Sequence, residues 1–131
     1  MNDPEFLTLN EILETHRISI ELYGGSYGIH DQKSLESAIN MPCSTFDGKY
    51  LHSDLYEMAA AYLFHLVKNH PFIDGNKRIG TRAALLFLYL NSIEVKIDPD
   101  ELADFVISVV ENNVSKKEIA DYFRQYVQIG I

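Results

Sequence analysis

The sequence predicts an all-α domain of about six helices carrying one small β-hairpin. Three observations carry that prediction. Apolar residues recur at i, i+3, i+4 and i+7 through most of the 131 residues. The periodic segments open on Thr, Asp or Ser, and several close on Gly or Pro, residue types that start and stop helices. Thr45-Phe46 and Lys49-Tyr50 flank Asp47-Gly48, a pair favoured for a two-residue hairpin turn. Residues 1–131 are expected to form one domain, long enough to bury a core without disulfides, and the 47% hydrophobic composition agrees.

The first helix is marked by Thr8 and Glu11 at capping-box spacing, followed by Leu9, Ile12, Leu13, His16 and Ile20 until Gly24-Gly25. His16, on the apolar side, reads as a satisfied core histidine rather than a ligand. Gly24 to Gly28 reads as a C-cap and turn, since it lacks the spacing of a phosphate-binding glycine loop. Asp31 caps a second helix carrying Leu35, Ala38 and Ile39 inward and stopping near Pro42. The hairpin follows, and His52 just beyond it is as easily an exposed loop residue.

From Ser53, residues Leu55, Met58, Ala59, Tyr62, Leu63, Leu66 and Val67 keep helical spacing without a miss. His65 and His70 are five apart, about 140° on a helix, so they cannot form a two-histidine zinc face. Ala83 to Leu90 is apolar on every face, which predicts a helix buried at the centre, and Gly80 within the same helix predicts close approach by another helix or a ligand. Ile93, Val95 and Ile97 alternate with charged residues, giving a short extended link. Asp98-Pro99 starts a helix with Leu102, Phe105, Val106, Val109 and Val110 inward. Ser115 and Glu118 start the last, which buries Ile119, Tyr122, Phe123, Tyr126 and Val127.

Composition narrows the function. Lys plus Arg total 11 against 19 Asp plus Glu, a net charge of −8, so no direct nucleic-acid binding is expected and a basic protein or peptide is the easier partner. Cys43 is the only cysteine, which leaves no internal disulfide and no cysteine-based zinc cluster. Met1 to Glu5 lacks the features of a signal peptide, and Ala83 to Leu90 is too short to span a bilayer. A cytoplasmic protein without a membrane partner is expected.

The chemistry concentrates in His70-Pro71-Phe72-Ile73-Asp74-Gly75-Asn76-Lys77-Arg78. The residue before a proline is pushed out of the helical region, so a loop begins at His70. Asp74-Gly75 is a turn signal ahead of the helical run Arg78 to Leu90, which puts the amides of Gly75 to Lys77 at a helix N-terminus, an anion site. Lys77 and Arg78 add cations, Asn76 an amide donor, Asp74 a carboxylate suited to Mg²⁺, and His70 a base of the type that titrates near neutrality. These are the parts of phosphoryl or nucleotidyl transfer. On residue types alone, a solvated helix-to-helix loop accounts for the same string.

The order and spacing resemble the signature of the Fic/Doc family, His-x-Phe-x-(Asp/Glu)-Gly-Asn-(Gly/Lys)-Arg. The Tyr23-Gly24-Gly25 turn and the run Ala84 to Leu88 also look similar to the Doc, or death-on-curing toxin, branch. Lys77 stands where adenylyl-transferring members carry Gly, and Thr81 where they carry a second Arg, with Arg82 about 100° further round the helix. The resemblance implies a Fic/Doc-like all-α domain in which His70 is the general base, Asp74 holds Mg²⁺, and Gly75, Asn76, Lys77 and Arg78 bind the phosphates of ATP. Phe72 would pin the loop. It implies a hairpin flap, Thr45, Phe46, Asp47, Gly48, Lys49 and Tyr50, that docks the target as an added strand.

By the same resemblance the γ-phosphate of ATP passes to a hydroxyl, a Thr, of a translation factor such as elongation factor Tu, and the C-terminal segment of an antitoxin is the inhibitor. The self-inhibitory pattern (Ser/Thr)-x-x-x-Glu-(Gly/Asn) is absent, because Met58 follows Ser53 to Glu57. Two rivals are an adenylyltransferase of the same fold, favoured by Gly75, and a non-catalytic module binding phosphate or antitoxin.

Overall fold

The computed structural model describes residues 3–127. Six helices follow one another: α1 (Leu9–Tyr23), α2 (Gln32–Asn40), α3 (Leu55–Lys68), α4 (Asn76–Leu90), α5 (Pro99–Glu111) and α6 (Lys116–Gln125). The hairpin β1 (Thr45–Phe46) and β2 (Lys49–Tyr50) lies between α2 and α3, with Thr45 opposite Tyr50 and Phe46 opposite Lys49. The architecture is all-α, as the periodicity predicts. Asp47 and Gly48 both have positive φ, 53° and 78°, the backbone a type I′ turn requires.

The caps fall where their side chains can bond. Thr8 with Glu11 and Ser115 with Glu118 form reciprocal capping boxes, and Asp98 accepts from the amides of Asp100 and Glu101 with Pro99 at the first helical position. The start of α3 differs by one residue from expectation. Asp54 is its N-cap, accepting from the Glu57 amide, while the Ser53 hydroxyl bonds the Glu57 carboxylate.

The centre is the α3–α4 pair. From Met58 to Leu63 every residue of α3 is buried, followed by Leu66 and Val67. Gly80 of α4 faces that helix so closely that a Cβ would lie 2.8 Å from Val67 Cγ2 and 3.2 Å from the Leu63 carbonyl oxygen. Helices α2 and α6 pack on α3, and α1 packs on α4. The Tyr62 hydroxyl accepts a hydrogen bond of 2.9 Å from the Leu7 amide, tying the N-terminal segment to this core.

Several faces expected to be buried are not. Tyr89 is 71% exposed, and Leu85 and Leu86 are only half-buried because their side of α4 borders a groove. On α5 only Leu102, Val106 and Val109 reach the core, while Phe105 is half-buried against Tyr122 and Val110 is exposed. Helix α6 ends at Gln125, so Tyr126 and Val127 lie beyond it, with Val127 bridged to Val95 of the extended link. His52 is buried, and Lys116 Nζ lies 3.1 Å from both its Nε2 and that of His65.

Candidate functional site

Helix α3 stops at Lys68, and His70 then turns the chain with φ 52°, a left-handed conformation that costs a non-glycine residue on the order of 1–3 kcal/mol. That turn sends Pro71 and Phe72 into the core. Phe72 is buried and stacks on the His16 ring of α1, with centroids 3.8 Å apart and planes 9° from parallel. His16 in turn donates from Nε2 to the Asp74 carbonyl at 2.8 Å. It is a satisfied buried histidine, as its helical position predicts, but its partner is the signature loop.

Asn76 closes the loop from inside. Its Oδ1 accepts from the Phe72 amide at 2.9 Å, while its Nδ2 donates to the Phe72 carbonyl at 2.9 Å and to His70 Nδ1 at 3.1 Å. The side chain read as a phosphate donor is thus occupied within the protein and buried. Only the Asn76 backbone amide remains at the helix start.

Outside, residues 24–31 form a strap along the same loop. The Ile73 amide bonds Gly28 carbonyl at 3.1 Å, the amides of His30 and Asp31 bond the Pro71 carbonyl at 2.7 and 3.1 Å, and Ile29 bridges Phe72. Gly24 is the C-cap of α1, as read, but the rest of the glycine-rich segment holds the signature in place. Asp74 is seated between strap and helix: Oδ2 accepts from the Ser26 amide at 3.2 Å and Oδ1 from the Gly75 amide at 2.9 Å. Gly25 has φ 115°, and a Cβ there would fall 2.8 Å from Asp74 Oδ2, so both backbone and space demand glycine.

Gly75, at φ 79°, is the N-cap of α4 and supplies no side-chain cap. The first-turn amides of Asn76, Lys77 and Arg78 therefore form an uncapped helix N-terminus, with the Gly75 amide already taken by Asp74. Lys77 and Arg78 are exposed beside it. The Arg78 guanidinium lies 4.7 Å from the Tyr23 ring centre and that of Arg82 5.1 Å from it, with Arg82 Nη2 donating to the Tyr23 hydroxyl at 2.9 Å. Thr81 turns its hydroxyl back to the Lys77 carbonyl at 2.8 Å.

His70, Ile73, Asp74, Gly75, Asn76 and Lys77 share a cleft of about 180 Å³ with Val67 and Val110. Lys77 and Arg78 also border an open groove of about 990 Å³ between α1, α4 and α5, floored by Leu85, Leu86, Leu102 and Val106. Neither lining includes a hairpin residue. All hairpin residues are exposed except the half-buried Tyr50, which packs near Phe6.

The Asp74 carboxylate could serve as a metal ligand at this helix start. It is exposed and each oxygen accepts a single amide, while no cluster of three or more metal-ligating side chains occurs among the described residues. One carboxylate completed by phosphate and water is the usual Mg²⁺ arrangement at such sites.

Comparison with known proteins gives the family. The model of the family described as "Fic/DOC family" matches residues 6–88, which contain the strap, the hairpin and the whole loop. The chain is similar to "Protein kinase doc" of Escherichia phage P1, 33% identical over 115 residues, spanning 88% of this chain and 90% of the phage protein. It is also similar to "Toxin Doc" of Mycolicibacterium smegmatis (strain ATCC 700084 / mc(2)155), 33% identical over 96 residues, 73% of this chain and 72% of that protein. With a family match across more than half its length and relatives at this identity over most of it, the chain belongs to the Fic/Doc family.

Proposed function

We propose that this protein is a Doc-like toxin that transfers the γ-phosphate of ATP to a hydroxyl of a translation factor, a Thr of elongation factor Tu being the target the family suggests. The observation carrying this reading is the meeting of His70, Asp74 and Lys77 in one cleft at an uncapped helix N-terminus. The hydroxyl oxygen attacks the γ-phosphorus, the bond from that phosphorus to the β–γ bridging oxygen breaks, and ADP leaves. His70 takes the hydroxyl proton. The α4 amides with Lys77 and Arg78 stabilise the charge on the transferred group. Mg²⁺ held by Asp74 would neutralise phosphate charge.

Lys77 favours the γ-phosphate. A cation within the first turn of α4 fills space that Gly leaves open in adenylyl-transferring relatives, which reverses the nucleotide. Thr81 adds nothing to the opposite pose, since its hydroxyl is bonded within the helix. Adenylyl transfer is the second reading, and Gly75 favours it.

Control comes from the C-terminal segment of a separate antitoxin, for which the α1–α4–α5 groove offers an apolar floor. Self-inhibition is disfavoured because Ser53 and Glu57 are bonded to each other and Met58 is in the core. The exposed hairpin offers an edge for target docking, and no membrane or direct nucleic-acid contact is needed. No helix among the described residues is long and apolar enough to cross a membrane.

The test is radiolabel transfer in a translation extract with Mg²⁺. Label should reach one protein band from γ-labelled ATP and not from α-labelled ATP. Label from the α position alone would replace phosphoryl with adenylyl transfer, and none from either would leave the binding module.

A further inference from the structure

The chain has four arginines: Arg17, Arg78, Arg82 and Arg124. Arg17 pairs with Glu14 and Glu21, and Arg124 with Asp54 and Asp121. Arg78 and Arg82 form no ion pair among the described residues, in a protein of net charge −8 that has acidic side chains to spare. They stand one turn apart on α4, where like charges repel. Both are gathered onto one ring, Tyr23, at 4.7 and 5.1 Å.

Tyr23 is the last residue of α1 and 55% exposed, so its ring does not fill the core. It borders the same groove as Lys77, Arg78 and Arg82. A cationic pair left without carboxylates, held still by an aromatic face and opening beside an uncapped helix start, is built to receive a polyanion. The residue that lies 100° from the expected second arginine is thus drawn back toward Arg78 by Tyr23.

We infer that Arg82 is a second phosphate contact of this site, and that Tyr23 is the positioning residue that aims both guanidiniums at a polyphosphate. The inference rests on the nucleotide reading above for the source of the phosphates. Arg82 takes a phosphate that is not transferred, while Arg78 stays with the transferred group, so together they select for tri- over monophosphate and are indifferent to the nucleoside.

Titration calorimetry on the full chain tests this, with ATP, inorganic tripolyphosphate and adenosine as probes and near-ultraviolet circular dichroism to establish folding. Arg82→Gln should weaken ATP and tripolyphosphate by about tenfold or more, as expected for losing a charge-assisted hydrogen bond, and leave adenosine unchanged. Tyr23→Leu should reproduce that loss, whereas Tyr23→Phe keeps the ring face but loses the hydroxyl to which Arg82 donates, and should fall between Tyr23→Leu and wild type. If wild type binds ATP and both Arg82→Gln and Tyr23→Leu bind it equally well, the inference is overturned and the nucleotide reading stands. Binding of tripolyphosphate but not ATP, with the same dependence on Arg82, would retain the clamp and remove the nucleotide reading. Binding of neither would remove both.

Discussion

Asn76 Nδ2 lies 3.1 Å from His70 Nδ1, and the direction of that hydrogen bond is fixed by a third residue. Asn76 Oδ1 must face the Phe72 amide, which can only donate, so Nδ2 faces His70 and Nδ1 accepts. The neutral ring therefore carries its proton on Nε2. If His70 takes the target's proton at Nε2, as the proposed function would have it, the ring must pass to the Nδ1–H tautomer and lose the Asn76 hydrogen bond.

Nitrogen-15 NMR of the ligand-free protein should show His70 as the Nε2–H tautomer, and the Nδ1–H form should grow in when ATP and target are added. A ligand-free ring already protonated on Nδ1 would remove the Asn76 hydrogen bond from the account.

His70 also carries backbone strain at φ 52°. Asn tolerates the left-handed region better than His, so His70→Asn should fold with stability unchanged or raised by up to about 1 kcal/mol while losing phosphoryl transfer. Thermal unfolding alongside the label assay checks both halves. Full activity in this variant would end the assignment of His70 as base.

Gly80 would ordinarily be improved by Ala, by about 1 kcal/mol for a helix interior. Here the added Cβ lies 2.8 Å from Val67 Cγ2, and overpacking of that kind costs about 1–3 kcal/mol. Gly80→Ala should therefore lower the melting temperature, and adding Val67→Ala should recover part of the loss. Chemical denaturation of the two variants measures this, and a more stable Gly80→Ala protein would contradict the helix contact.

Burial, then the nearby charge of Lys116 and His52, pushes the His65 imidazole down to about 4 from 6.5. Burial and Lys116 push His52 down as well, with Glu57 and the Met41 backbone opposing. Both rings fold in the neutral form, so the unfolded chain binds protons first. The stability they allow is complete above the unfolded value of 6.5 and is lost as pH falls below it, down to about 4 for His65. Proton NMR titration should find both rings below the ordinary histidine value, and Lys116→Met should move them upward. An unmoved His65 in that variant would show that burial alone sets it.

The capping boxes of α1 and α6, the hairpin turn and the order of the signature loop were legible in the sequence, because each depends on interactions within about one turn of chain. Thr8 caps with Glu11, Ser115 with Glu118, and Asp47-Gly48 adopts its turn, whatever lies across the fold. Tertiary structure alone decided which polar groups meet. His16 reaches the Asp74 carbonyl across 58 residues, Ser26 its carboxylate across 48, and Arg82 reaches Tyr23 across 59. No local spacing encodes those pairings. The same limit explains α4: hydrophobicity all round says that a helix can be covered on every side, but whether a neighbour comes is settled by how the others pack, and along Leu85, Leu86 and Tyr89 none fully covers it.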